Sequence, residues 1–131
     1  MEATGTEILL VEDSTDFARM YRLRLEMDGH RVRIAGTGAE AIAMASASWP
    51  DLILLDVDLP DMDGFQVFAE LRARHTRPRV VFLTITDSDD LIGLALSMGA
   101  LAYLRKPKVT PDYLASRIRS WTAVPDGAPP T

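Results

Sequence analysis

Cysteine is absent from the 131 residues, which excludes disulfides, thiolate metal sites and cysteine nucleophiles. Histidine is nearly absent as well, and two isolated imidazoles make a zinc centre a poor candidate. No apolar run approaches the ~18 residues of a membrane span. The start, Met1-Glu2-Ala3-Thr4-Gly5-Thr6-Glu7, has neither the positive n-region nor the apolar h-region of a secretory signal, so a cytoplasmic protein without membrane contact is the expectation. A basic surplus is missing too. Lys and Arg number 14 against 19 Asp and Glu, and a net charge of −5 argues against direct nucleic-acid binding by this domain, because phosphate contacts need clustered cations. Nucleotide binding has no support either, since no glycine-rich loop follows the first apolar run.

What is present is an average globular composition, 47% apolar and 25% charged. A chain of this length forms one domain and buries roughly two-thirds of the surface its unfolded form exposes. The chain is organised around Leu52-Ile53-Leu54-Leu55-Asp56-Val57-Asp58-Leu59-Pro60-Asp61-Met62-Asp63-Gly64. Four consecutive apolar residues read as a strand buried on both faces, and the carboxylate that follows sits at the strand's carboxyl end, where open α/β sheets bind ligands. Asp56 is therefore the expected chemical centre.

Around that stretch, strand and helix patterns alternate. Ile8-Leu9-Leu10-Val11 is an apolar run ended by Glu12-Asp13, and Ser14 can cap a helix that stops at Asp28-Gly29. On that helix Phe17, Met20, Tyr21, Leu23, Leu25 and Met27 cover an arc of about 200°, wider than one buried face requires. The excess either faces a partner or belongs to a wide core face crossed by the stem of Arg24. Arg31-Val32-Arg33-Ile34-Ala35 alternates like an edge strand with both arginines toward solvent. Thr37-Gly38-Ala39-Glu40 has capping-box spacing before a small Ala-rich helix that ends at Trp49-Pro50. Gly64 leads into a third helix ending in Arg72-Ala73-Arg74-His75. Val80-Val81-Phe82-Leu83 is a buried strand ending at Thr84, and Asp87 or Ser88 caps a helix closed by Gly99. Leu101-Ala102-Tyr103-Leu104 is a fifth strand ending at Arg105-Lys106-Pro107, and Thr110-Pro111 starts a last helix running to about Trp121. Five strand–helix repeats imply a doubly wound parallel sheet with right-handed crossovers. The domain is expected over residues 1–122, with 123–131 as a tail or linker of proline-rich composition.

In a parallel sheet all strand carboxyl ends share one rim, so Glu12, Asp13, Asp56, Thr84 and Lys106 converge. Neighbouring carboxylates repel unless a cation joins them, and Mg²⁺ is the natural one for an all-oxygen set. A carboxylate there can act as a nucleophile toward phosphorus, with an ammonium and a hydroxyl as donors to the phosphoryl oxygens. His30 and His75 fall on the other rim, which leaves the site without a histidine base.

Glu12-Asp13, Asp56, the Asp56 to Pro60 to Gly64 spacing, Thr84 and Lys106-Pro107 together resemble the receiver domain of two-component response regulators, over about Glu7 to Trp121. The resemblance implies a flavodoxin-like (βα)5 sheet of order 2-1-3-4-5 and a phosphoacceptor role for Asp56. It implies Mg²⁺ held by Asp13, Asp56 and the carbonyl of Asp58, with Glu12 acting largely through water. Thr84 and Lys106 are implied to contact the phosphoryl group, Tyr103 to be the switch aromatic, and the Lys106–Pro107 bond to be cis. The implied partners are a sensor histidine kinase or phosphotransfer protein, and a second copy through the fourth helix, fifth strand and last helix. On this reading the domain is not an enzyme.

Two positions depart from the family pattern. Ile85 stands where a small residue is usual and is expected to narrow access to Asp56; Asp58 adds a fourth carboxylate beside the acceptor. Two other readings compete. Asp56-Val57-Asp58 also resembles the D-x-D of haloacid dehalogenase-like phosphatases, although that motif belongs on the first strand and Lys106 follows Asp89-Asp90 rather than preceding it. A pseudo-receiver that binds partners without phosphorylation is the other.

Overall fold

In the computed structural model, which describes residues 5–123, strand and helix alternate as β1 (Glu7–Val11), α1 (Thr15–Met27), β2 (Arg31–Ala35), α2 (Gly38–Ala47), β3 (Leu52–Leu55), α3 (Gly64–Arg74), β4 (Val80–Thr84), α4 (Asp89–Ser97), β5 (Ala102–Arg105) and α5 (Pro111–Thr122). The five strands are parallel and ordered β2-β1-β3-β4-β5, as the family resemblance implies. Of the tail expected over residues 123–131, Ala123 caps α5, its amide donating to the Arg119 carbonyl, and residues 124–131 lie outside the described residues.

The period of two along each strand divides the core into two layers. Leu9, Val11, Ile53, Leu55, Val80 and Phe82 point to one face, where α2 brings Ala41 and Ala45, α3 brings Val67, Phe68 and Leu71, and α4 brings Ala95. Ile8, Leu10, Leu52, Leu54, Val81 and Leu83 point to the other, against Ala18, Tyr21 and Leu25 of α1 and Leu114, Ile118 and Trp121 of α5. β3 lies at the centre, and every one of its residues is buried, which is why it reads as an unbroken apolar run.

The helix starts follow the cap chemistry. Ser14, Thr37, Ser88 and Thr110 each accept from the amide three residues on, and Pro111 opens α5. Thr37 and Glu40 form only half of the expected box, because Glu40 turns its carboxylate to the Gly36 amide instead of the cap amide. The complete capping box is at α3, between Asp63 and Gln66.

The wide apolar arc of α1 splits. Tyr21 and Leu25 are fully buried, while Leu23 is 58% and Met27 77% exposed. At the β2 edge, Arg31 lies outward and pairs with Glu7, but Arg33 does not simply face solvent. Its guanidinium donates to the carbonyls of Met44 and Ser48, satisfying the carboxyl end of α2. The expected cis bond is also absent. No peptide bond among the described residues is cis; Lys106–Lys108 forms a 3₁₀ turn in which the Lys106 carbonyl accepts from the Val109 amide, and the turn accommodates Pro107 in the intrinsically favoured trans form.

Candidate functional site

Four polar residues are buried on the carboxyl rim of the sheet, namely Glu12, Asp56, Thr84 and Lys106. Each directly follows or ends a strand: Glu12 follows β1, Asp56 follows β3, Thr84 ends β4 and Lys106 follows β5. The parallel topology thus assembles residues that are up to 94 positions apart in the chain, from Glu12 to Lys106.

Lys106 is the hub. Its ammonium donates to Asp56 Oδ2 at 2.8 Å, pairs with Glu12, and lies 4.7 Å from the centroid of the Phe17 ring. Burial pushes the lysine pKa down, but the hydrogen bonds and charges of Asp56 and Glu12 outweigh it, so the ammonium stays protonated above the usual lysine range. Glu12 shifts upward because burial dominates, although Lys106 and the Ser14 amide, which donates to its Oε2 at 3.0 Å, pull the other way. Glu12 thus pairs directly with Lys106 in this structure. Part of the cation that the clustered carboxylates require comes from the chain itself.

Glu12, Asp13 and Asp56 each offer an oxygen, all within 4.8 Å of one another. An octahedral Mg²⁺ bonded at about 2.0–2.1 Å places its ligand oxygens roughly 3–4 Å apart, so this all-oxygen cluster fits the ion with small adjustment and leaves positions for water. Asp13 is exposed, giving the ion a route from solvent. The Asp58 side chain is not in the cluster. It accepts from the hydroxyls of Thr86 and, at 3.5 Å, Thr84, while its amide donates to Asp56 Oδ1 at 3.1 Å.

The loop that carries Asp56 is folded tightly back on itself. The Gly64 amide donates to the Val57 carbonyl at 2.7 Å, Asp58 bridges to Asp63, and a Cβ on Gly64 would stand 2.3 Å from the Asp56 carbonyl oxygen. Only glycine permits that approach. This is the physical content of the spacing from Asp56 to Gly64.

On the β4 side, the Thr84 hydroxyl accepts from the Thr86 amide at 3.2 Å, and Tyr103 donates its hydroxyl to the Thr86 carbonyl at 2.9 Å. Tyr103 packs its ring on Phe82 at 5.9 Å, and burial, followed by the charges of Asp58 and Asp87, raises its pKa. Asp58, Thr86 and Tyr103 thus connect three strand ends. Ile85, between the two threonines, is 61% exposed. His30 is at the other rim, where its Nδ1 accepts from the Thr6 amide, and His75 stacks on Trp49.

Sequence reasoning missed Thr86, Phe17 and Asp61, whose carboxylate accepts from the amides of Gly38 and Ala39. Thr86 had a usable signal, since it lies two residues beyond a rim threonine.

Comparison with known proteins agrees with this geometry. Residues 8–119 match the family described as response regulator receiver domain. The chain is 38% identical over 115 residues to the transcriptional regulatory protein KdpE of Mycobacterium tuberculosis, covering 88% of this chain and 50% of that protein. It is 37% identical over 120 residues to the probable transcriptional regulator ycf27 of Cyanophora paradoxa, covering 92% and 49%. The chain therefore spans about half the length of the curated relatives it matches. Among solved structures, the signal receiver domain of a putative Luxo repressor protein from Vibrio parahaemolyticus superposes with a TM-score of 0.85 at 31% identity, covering 91% of each chain. The BeF3-activated N-terminal receiver domain of Klebsiella pneumoniae RstA gives 0.80 at 32% identity, covering 88% of this chain and 97% of that one.

Proposed function

The chain belongs to the response regulator receiver domain family, and from that premise we propose that it is a phosphoacceptor module in which Asp56 takes a phosphoryl group from a phosphohistidine. The donor is a sensor histidine kinase or a phosphotransfer protein. The observation that carries this reading is the buried contact of Lys106 with Asp56 Oδ2, beside the Thr84 hydroxyl on the next strand end.

An Asp56 carboxylate oxygen attacks phosphorus, the P–N bond of the donor breaks, and the leaving imidazole nitrogen keeps the electron pair. Lys106 holds the acceptor in place and then donates to a phosphoryl oxygen, and the Thr84 hydroxyl donates to another. Glu12, Asp13, Asp56 and the Asp58 carbonyl are the residues that would hold Mg²⁺. When bound, the ion supplies charge compensation for the phosphoryl oxygens. Asp56 is consumed once per event and regenerated by hydrolysis, so the domain works as a switch rather than as an enzyme acting on a free substrate.

The switch is the loop Thr84-Ile85-Thr86. A phosphoryl group on Asp56 draws the Thr84 hydroxyl away from Asp58, and Thr86 and Tyr103 follow because they are bonded to the same loop. That shifts a pre-existing two-state equilibrium at the face formed by α4, β5 and α5. Exposed Leu94, Leu96 and Tyr113 support this face as the place where a partner or second copy selects the active form. The relatives are named as transcriptional regulators and the chain spans about half their length; its net charge of −5 does not favour DNA contact by this domain itself.

The test is intact-mass measurement after incubation with acetyl phosphate and Mg²⁺. The parent gains one phosphoryl group per chain and Asp56→Asn gains none. No gain in the parent would support the pseudo-receiver, and sustained release of phosphate from a small ester would support the phosphatase.

A further inference from the structure

The mechanism above leaves unused the residue that ties the phosphoacceptor loop to another element. Asp61 Oδ1 accepts from the Gly38 amide at 2.8 Å and Oδ2 from the Ala39 amide at 2.9 Å. Thr37, the helix's own cap, takes the next amide, Glu40, at 3.0 Å. Two of the three leading amides of α2 are thus satisfied from a loop 22–23 residues away. Met62 reinforces the joint. A Cβ on Gly38 would lie 2.5 Å from Met62 Cγ and 2.8 Å from its Sδ, so the glycine leaves room for the thioether.

This joint lies in the outer part of the loop, where Leu59 and Met62 also pack against the core. The stem is closed by the Gly64 amide on the Val57 carbonyl and by the Asp58–Asp63 bridge. Residues 59–62 form the excursion between them, and Asp61 and Met62 are its anchored end. An excursion free to shift would move Asp58, whose amide holds Asp56 Oδ1 and whose carboxylate holds Thr86. Mg²⁺ demands near-ideal octahedral placement of its oxygens, and phosphoryl capture demands an aligned nucleophile.

We propose that Asp61 is a positioning residue for phosphoryl capture: by gripping the first turn of α2 it fixes the loop that sets Asp56 and Asp58 on the rim. The proposal rests on the reading of Asp56 as phosphoacceptor. Asp61 touches no reacting atom, so its effect must pass through the loop.

Thr37→Ala provides the control, because it weakens the same helix end from α2's own side without touching the loop. Asp61→Asn and Thr37→Ala are compared with the parent by urea unfolding, by calorimetric Mg²⁺ titration without phosphodonor, and by the rate of phosphoryl incorporation from acetyl phosphate at saturating Mg²⁺. Both variants should unfold at lower urea than the parent. Only Asp61→Asn should weaken Mg²⁺ binding, by about tenfold as for other residues that orient metal ligands, and slow incorporation. Parental Mg²⁺ affinity in Asp61→Asn would overturn the proposal. Equal losses in Thr37→Ala would overturn it as well, since helix stability rather than loop placement would then govern the site. A parent that takes no phosphoryl group would reject the reading of Asp56, while the Mg²⁺ titration would still decide the role of Asp61.

Discussion

The two rims of the sheet are built from similar residues and treat them differently. On the carboxyl rim, charges are buried against one another: Lys106 among Glu12, Asp56 and the Phe17 ring. On the amino rim, polar side chains close the local backbone and stay near solvent. The Asp51 carboxylate takes the Glu7 amide at 2.9 Å, His30 takes the Thr6 amide at 3.0 Å, and Arg31 pairs with Glu7. Backbone amides are modest partners that stabilise a strand entry. Buried ions held by other ions are costly to assemble and sensitive to any change in charge, which is what a site that accepts an anionic group requires. The amino rim fastens the fold and the carboxyl rim stores the chemistry.

The largest expected effect comes from removing the hub of the carboxyl rim. Lys106→Met leaves two buried carboxylates without their cation, and urea unfolding at neutral pH should show a loss of about 3 kcal/mol. Phosphoryl incorporation should fall with it. Gly64→Ala should be next. Its Cβ would enter the space of the Asp56 carbonyl oxygen, costing about 2 kcal/mol and displacing the acceptor, so stability and phosphorylation decline together.

The amino rim should respond the other way, in stability alone. His30→Gln loses a hydrogen bond worth about 1 kcal/mol and should phosphorylate at the parental rate. The parent should also carry a pH signature that this variant lacks. Burial lowers the His30 pKa in the folded state, so the unfolded chain binds the proton more readily. The contribution of His30 is then fully present above the unfolded value near 6.5 and is lost as pH falls from there through the lowered folded value. Unfolding free energy against pH, with and without His30, checks the sign; a parent that gains stability from this group on acidification would contradict it.

The smallest effects belong to the rim's exposed tuning residues. Asp58→Asn should alter the lifetime of the phosphoryl form, because Asp58 holds Thr84 and Thr86, with little change in stability. Ile85→Ala should speed phosphorylation while changing stability by less than about 0.5 kcal/mol, as expected of an exposed side chain. An unchanged rate would remove Ile85 as a barrier.

The same contrast explains what could be read from the sequence. Buried strands announce themselves as runs such as Leu52–Leu55, and parallel topology then brings Glu12, Asp56, Thr84 and Lys106 to one rim without further information. Pairings within the rim are less legible. Nothing in the spacing says that Lys106 neutralises Glu12 as well as Asp56, or that Asp61 reaches α2, because both depend on side chains meeting across loops that have no period. The Arg33 alternation correctly indicated an edge strand, but its long side chain could still curl onto the carbonyls of α2. The trans bond before Pro107 was not legible either, since the Lys-Pro pair permits both isomers.

The most direct measurement is peptide-level mapping of the phosphoryl group after reaction with acetyl phosphate and Mg²⁺. It should lie on Asp56 alone and fail to appear when Mg²⁺ is chelated. A phosphoryl group on Asp13 or Asp58, or incorporation that persists under chelation, would contradict the account.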